Sequence, residues 1–304
     1  MRAESFSASS QRRAAALVCV VLPVWVAALL FCSGCAVLHR DGRPFSTPFG
    51  VTIGDFPATA EQVDAIGPVW YMDYRWDSPT LEGHERLYVI RCWEVKPDRG
   101  AIPSAMVASG SAWWSLGNEP NDPNQDNVSA EEYAELYYCF EGWAKDAPRC
   151  RIVSAGIGNA DWMWAEAFRE AFRERYGRYP RVDAWNIHNY MLEADLDPYD
   201  VGEFKRRIVA FRRWMQSIGD GDKPLFLTEF GVLYGSGCCG RPIDPRDKIH
   251  SFMRDTVRWL RESNLVTCWA WFVTYSDIYN GSLLTSEGQI DDLGMTYREL
   301  VQEQ

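Results

Sequence analysis

The chain has 304 residues, room for one barrel-sized domain of roughly 250 residues plus a leader, and its 47% hydrophobic and 24% charged residues are ordinary for a globular protein. A net charge of −11 argues against a nucleic-acid binder, which needs clustered Lys and Arg, and against adsorption to anionic lipid. Fourteen Trp supply either a large core or flat apolar faces of the kind on which sugar rings stack.

Residues 1–35 read as an export signal. Arg2, Arg12 and Arg13 form a basic start, Ala14 to Phe31 is an apolar run interrupted only by Pro23, and small residues lead to Cys35. The segment Ser33-Gly34-Cys35 resembles a bacterial lipoprotein cleavage box with Cys35 as the acylated residue, although Cys32 stands where that pattern carries Leu. Plain secretion and an uncleaved apolar anchor are the alternatives, and each places the rest of the chain outside the cytoplasm. Contact with a membrane is expected only through such an N-terminal lipid or anchor. Residues 36–47 are read as a linker and 48–304 as the folded domain. Export favours disulfides. Six cysteines remain beyond the signal: Cys92, Cys139, Cys150, Cys238, Cys239 and Cys268. Cys139 and Cys150, read as the end of a helix and the start of a strand, are a candidate pair. Cys238-Cys239 lie in a Gly-rich loop. Four His without a cluster give no zinc spacing, and neither metal nor cofactor is expected.

Short apolar runs then alternate with amphipathic stretches. Strands are predicted at 49–54, 68–75, 86–93, 112–117, 151–156, 182–188, 224–230 and 266–273. Several are nearly continuous apolar runs, as a parallel sheet covered on both faces requires. Helices are predicted at Ala130–Ala144, Asp161–Tyr176, Val201–Ile218 and Arg246–Ser263. The segments 55–67 and 94–111 hold short helices at most. Eight alternations point to an α/β fold, a single-domain (β/α)8 TIM barrel. An open doubly wound sheet would carry an early Gly-rich phosphate loop, and none is present.

Such barrels place function at the C-terminal ends of their strands. Strand four ends in Asn118-Glu119-Pro120 and strand seven in Thr228-Glu229-Phe230-Gly231. The ends of strands two, six and eight add Tyr71 and Asp73, His188 and Tyr190, and Trp271. A lone buried glutamate is often a structural ion-pair partner. Two of them, at strands four and seven, face each other across one mouth. Retaining glycoside hydrolysis needs such a pair, one carboxyl to protonate the leaving oxygen and one to attack the anomeric carbon.

These motifs resemble glycoside hydrolase clan A, retaining (β/α)8 enzymes with an acid/base after strand four and a nucleophile after strand seven. Within it, Trp70-Tyr71 through Trp76 and His188-Asn189-Tyr190 are similar to the small glycosyl hydrolase catalytic-core group, which includes β-1,3-glucanases. The tail from Asp291 to Tyr297 resembles the start of a last helix in such enzymes. The resemblance implies an exported glycosidase acting on a β-linked glycan. Glu119 would be acid/base, Glu229 nucleophile, Asn118 the donor to the sugar 2-hydroxyl, His188 and Tyr190 the neighbours of the glutamates, and Trp271 the stacking floor. Apart from the resemblance, Asp73 and Arg75 alternate on strand two, where they bind sugar hydroxyls or pair with each other, and Tyr71 is a further candidate for substrate contact. The rival reading is a non-catalytic cell-surface carbohydrate-binding protein on the same scaffold.

Overall fold

A computed structural model of the chain describes residues 44–95, 100–193, 195–233 and 246–303. The segment 1–35 predicted as an export signal, most of the predicted linker 36–47 and Cys238-Cys239 lie outside the described residues. Among those described, no helix is long and apolar enough to cross a membrane.

Eight strands form one parallel sheet: β1 (Phe49–Thr52), β2 (Trp70–Met72), β3 (Leu87–Ile90), β4 (Trp113–Leu116), β5 (Arg151–Ile157), β6 (Ala184–Asn189), β7 (Leu225–Phe230) and β8 (Cys268–Phe272). The order β2-β1-β8-β7-β6-β5-β4-β3 closes through a parallel bridge between Tyr71 and Arg86. The described helices are α1 (Ala60–Ile66), α2 (Ala101–Ser109), α3 (Ala130–Asp146), α4 (Trp162–Tyr176), α5 (Val201–Ser217), α6 (Arg246–Ser263) and α7 (Asp292–Gln302). The chain is a (β/α)8 TIM barrel, and the β2–β3 crossover is the one connection between successive strands that carries no helix. The segments read as poor in helix hold the two shortest helices before β4, α1 and α2.

Strand alternation sorts side chains between two layers. Trp70, Met72, Leu87, Val89, Val153, Ala184, Phe226, Cys268 and Ala270 pack inside the cylinder with Phe45. Tyr71, Trp114, Trp185, Trp269 and Trp271 face outward into the larger core under the helices. The N-terminal end of the barrel is plugged by aromatics. Phe45 stacks on Trp70 at 4.5 Å between centroids, and Phe226 lies between Phe45 and Trp113. Gly50 makes room for this plug, since a Cβ there would stand 2.4 Å from the Trp70 ring. The last helix is tied to the same strand by the Tyr297 hydroxyl, which donates to the Gly50 carbonyl at 2.8 Å.

Helix α3 braces the site. Ser129 caps α3 in a reciprocal box with Glu132. From α3, the Tyr133 hydroxyl donates to Leu116 O at 2.6 Å and accepts from Ala155 N at 2.8 Å, joining the ends of β4 and β5. The expected Cys139–Cys150 disulfide is absent, and both thiols are free. The helix continues past Cys139 to Asp146, about 10 Å of further rise, while Cys150 is buried and donates its S–H to Met106 O at 3.1 Å.

Gly50→Ala overpacks the plug against rigid indole, so urea denaturation is expected to show a loss of about 1–3 kcal/mol. An unchanged midpoint would contradict the packing described.

Candidate active site

The inner layer changes character toward the C-terminal end. Above the aromatic plug come Thr52, Ser115, Ser154, Asn186 and Thr228, all buried and joined to one another or to neighbouring backbone. Ser115 donates to Ser154 O at 2.7 Å, Asn186 N donates to Ser154 Oγ at 2.8 Å, and Thr52 donates to Thr228 O at 3.0 Å. Thr228 spends its one hydroxyl proton on Asn186 Oδ1 at 2.9 Å. Its oxygen must therefore accept from His188 Nε2, 3.0 Å away. This fixes the lower edge of the imidazole as N–H. Gly156 clears the space for the ring, because a Cβ there would stand 2.1 Å from Nε2.

The upper nitrogen faces both glutamates. His188 Nδ1 lies 3.0 Å from Glu119 Oε1 and 3.3 Å from Glu229 Oε1. One ligand atom from each of the three residues lies within 4.8 Å of the others. Burial opposes a charge on His188, yet the Glu229 and Glu119 carboxylates outweigh it and raise the imidazole above its ordinary range. Two carboxylates and a ring nitrogen could also ligate a divalent cation. Here the ring nitrogen is within hydrogen-bond reach of both carboxylates, as a proton-sharing network requires. A single proton fits between Nδ1 and Glu119, so imidazolium–carboxylate and imidazole–carboxylic acid differ only by its position.

Glu229 is held from two further directions. Tyr74 donates to Oε1 at 2.6 Å and Tyr190 donates to Oε2 at 2.8 Å. Burial pushes the Glu229 carboxyl up. The His188 charge and the two phenols pull against that rise, and nearby Glu119 adds to it, for a net raised value. The phenols themselves are driven far up by burial and by Glu229, so they remain protonated donors.

Glu119 reaches the mouth through an unusual backbone path. Gly117 has φ 92° and Glu119 φ 43°. A side chain at Gly117 would press on Cys92 Sγ and Tyr133. Glu119 N donates to Gly156 O at 2.8 Å, which secures the turn. Buried Asp126 accepts from the N–H groups of Asn118 and Cys92, both at 2.9 Å, and pairs with Arg91 at 2.6 Å. The ends of β3 and β4 are thus knotted together below Glu119. Asn118 Nδ2 donates to Gln125 Oε1 at 3.2 Å and lines a cavity of about 190 Å³ with Tyr74, Arg91, Glu229 and Phe272. A second cavity of about 490 Å³, sharing Tyr74 and Arg91, extends to exposed Trp93 and Glu94.

The sequence-predicted residues Glu119, Glu229, His188, Tyr190 and Asn118 therefore meet at one mouth. Three others do not. Tyr71 points into the outer layer, where its hydroxyl accepts from Leu81 N at 2.9 Å. Asp73 is occupied by Arg86 at 2.7 Å and by Ser78, with one edge open to the second cavity. Trp271 is fully buried in the outer layer and donates to Gly281 O at 2.8 Å. The next residue, Phe272, lines the cavity instead and meets Tyr190 edge-on at 6.1 Å. Sequence reasoning also missed Tyr74, Arg91 and Asp126.

A TIM barrel with two glutamates at strands four and seven, sharing one imidazole and set in an aromatic cleft, is the architecture of a barrel glycosidase. Residues 59–297 match the family described as "Glycosyl hydrolase catalytic core", and the chain belongs to that family. No curated protein matches it in sequence. Its fold is shared with solved GH128 structures. A subgroup I endo-β-1,3-glucanase from Amycolatopsis mediterranei, in complex with laminaritriose, is 20% identical, with 84% of this chain and 99% of that one covered at a TM-score of 0.63. A subgroup II endo-β-1,3-glucanase from Sorangium cellulosum is 20% identical, covering 83% and 98% at 0.62. A subgroup III curdlan-specific exo-β-1,3-glucanase from Blastomyces gilchristii, in complex with glucose, is 18% identical, covering 84% and 99% at 0.63. At such identities the likeness is one of fold.

The phenol bonds to Glu229 favour its ionised form. Tyr74→Phe should therefore raise the Glu229 pKa and move the acidic limb of the kcat/KM profile upward by roughly one pH unit. A profile that stays in place, or moves to lower pH, would show that the phenol does not hold the carboxylate.

Proposed function

We propose that this chain is an exported β-1,3-glucanase that cleaves with retention of configuration. The observation that carries the mechanism is the spacing of the paired carboxylates, oxygens within 4.8 Å of each other on one imidazole. Retaining enzymes hold the two groups about 5–5.5 Å apart, whereas inverting ones leave about 6.5–9.5 Å for a water. In this reading Glu229 attacks the anomeric carbon while Glu119 protonates the departing oxygen. Water then enters, gives its proton to Glu119 and releases the sugar from Glu229. Asn118 faces the same cavity as Glu229 and is placed to donate to the 2-hydroxyl. Support for the substrate comes from the solved structures that share the fold, which are β-1,3-glucanases, one of them bound to laminaritriose. A non-catalytic sugar binder would have no use for the carboxylate pair.

Proton NMR of a β-1,3-glucan digest should show the β-anomer first, and first release of the α-anomer would refute retention. Glu229→Ala should lower turnover on the order of 10³-fold or more, with azide restoring turnover as a glycosyl azide. Undiminished turnover in that variant would remove Glu229 from the mechanism.

Export is supported by the basic start, apolar run and cysteine-bearing box of residues 1–35. Labelled palmitate is expected on the full chain in a bacterial host and not on Cys35→Ser. Equal labelling of the two would rule out Cys35 as the acylated residue.

A further inference from the structure

The groups at the mouth offer a second chemistry besides proton sharing. A ring nitrogen and two carboxylates, from His188, Glu119 and Glu229, converge with one donor atom each inside 4.8 Å. Among the described residues no other set of three His, Cys, Asp or Glu donors does so. One imidazole with two carboxylates suits zinc and its first-row neighbours, whereas magnesium and calcium take oxygen ligands.

The imidazole is oriented as a metal ligand is. Nε2 carries its hydrogen toward Thr228 Oγ1 at 3.0 Å, and Thr228 gives its own proton to Asn186 Oδ1 at 2.9 Å. The other nitrogen, Nδ1, then turns its lone pair on the carboxylates once the shared proton leaves. Ligating imidazoles ordinarily have their second nitrogen tied down in this manner, which fixes the tautomer and aims the ring. The His188 side chain is 1% exposed and lies in the space left by Gly156, so the ring has no room to turn away.

The spacing fits as well. Tetrahedral zinc, with bonds of about 2.0–2.2 Å, keeps its ligand atoms roughly 3.3–3.6 Å apart. Glu119 Oε1 and Glu229 Oε1 stand 3.0 and 3.3 Å from Nδ1. A small outward swing of Glu119 completes the match, and that carboxylate has no hydrogen-bond partner other than His188 among the described residues. Glu229 is steadied by the phenols of Tyr74 and Tyr190, outer bonds of the kind that hold a ligating carboxylate. A fourth position opens on the cavity of about 190 Å³ that Glu229 lines, where water completes the shell. The one cation in that lining, Arg91, is engaged by Asp126, and Asp55 adds a negative charge.

We propose that Glu119, Glu229 and His188 Nδ1 form a site for a zinc-class divalent cation in the free protein, and that cation and sugar exclude each other. Two ionised carboxylates beside a neutral imidazole carry two negative charges, and a dication cancels both. The proton shared by Nδ1 and Glu119 leaves to solvent as the metal enters. Glu119 then has no proton to give, and Glu229 has no free charge with which to attack. This effect on turnover rests on the glycosidase reading, whereas binding of the metal does not.

The test titrates the protein with zinc sulfate against a competing chelator dye. Wild type should bind zinc, and Glu229→Gln should bind it at least tenfold more weakly. Thr228→Val, which removes the outer bond to the imidazole, should lose affinity on the order of 10- to 100-fold, and Thr228→Ser should keep most of it. Zinc should raise the melting temperature of wild type more than that of Glu229→Gln. X-ray absorption at one equivalent should show nitrogen and oxygen ligands without sulfur. Inhibition of β-1,3-gluco-oligosaccharide cleavage should be competitive and reversed by EDTA. Equal affinity in wild type and Glu229→Gln, or sulfur in the first shell, overturns the site. An active wild type that binds no zinc at millimolar concentration also overturns it and leaves the glycosidase reading intact. A protein that binds zinc as described yet cleaves no glucan overturns the glycosidase reading and leaves the cation site standing.

Discussion

Two carboxylates brought within 4.8 Å in a buried site repel each other, and the rest of the mouth follows from how that repulsion is relieved. His188 stands under both and can hold a proton against either. It can do so only because Thr228 supports its far nitrogen, Asn186 accepts the Thr228 proton, and Gly156 leaves the ring a place to lie. The polar chain through the barrel interior is thus the foundation of the charge at its top. Tyr74 and Tyr190 stabilise the ionised form of Glu229 from the sides, which separates its role from that of Glu119.

The same cylinder holds an apolar and a polar end, and its register shifts where β5 meets β6, β6 meets β7 and β7 meets β8. At the N-terminal end Phe45, Trp70, Trp113 and Phe226 exclude water; further along β1, β4, β6 and β7, the hydroxyl and amide groups of Thr52, Ser115, Asn186 and Thr228 take over, while β2, β3 and β8 stay apolar with Met72, Val89 and Ala270. Each of these polar groups finds a partner on an adjacent strand or backbone, so the desolvation cost of the inner layer is offset by bonds that also aim the catalytic side chains.

The eight-strand order and the longer helices were readable from sequence because apolar runs and amphipathic stretches alternate so regularly after residue 112. The glutamates were readable because each follows such a run. The floor of the cleft was not. Trp271 and Phe272 are neighbours, and a slip of one residue exchanges inner and outer faces. The small residues Cys268 and Ala270 were the available signal: they suit the crowded lumen, which sets Phe272 inward and the two Trp outward. Tyr74 was beyond alternation altogether. β2 ends at Met72, and Tyr74 lies past it with φ 57°, so no periodicity connects it to Glu229. Asp126 acts through a loop contact with Arg91 and two backbone amides, which no local pattern encodes. The proposed pair of Cys139 and Cys150 failed because helix length, not sequence separation, sets where a cysteine faces.

The β2–β3 crossover closes the cylinder by one bridge and carries no helix. Its hold is a buried guanidinium: Arg86 reaches Asp73, the carbonyls of Arg75 and Ser78, and the Ser78 hydroxyl. The wall bearing Tyr74 is therefore laddered to β1 on one side and held on its β3 side by this clamp beside a single bridge. Residues between Ser78 and Arg86 add further ties: Leu81 N donates to the Tyr71 hydroxyl at 2.9 Å, the Glu85 carbonyl accepts from Tyr71 N at 3.0 Å and the Glu85 carboxylate accepts from Ser46 N at 2.6 Å. The crossover is thus a folded strap over the β2–β3 seam, and the aim of Tyr74 at Glu229 depends on a loop rather than on a helix packed behind the strand.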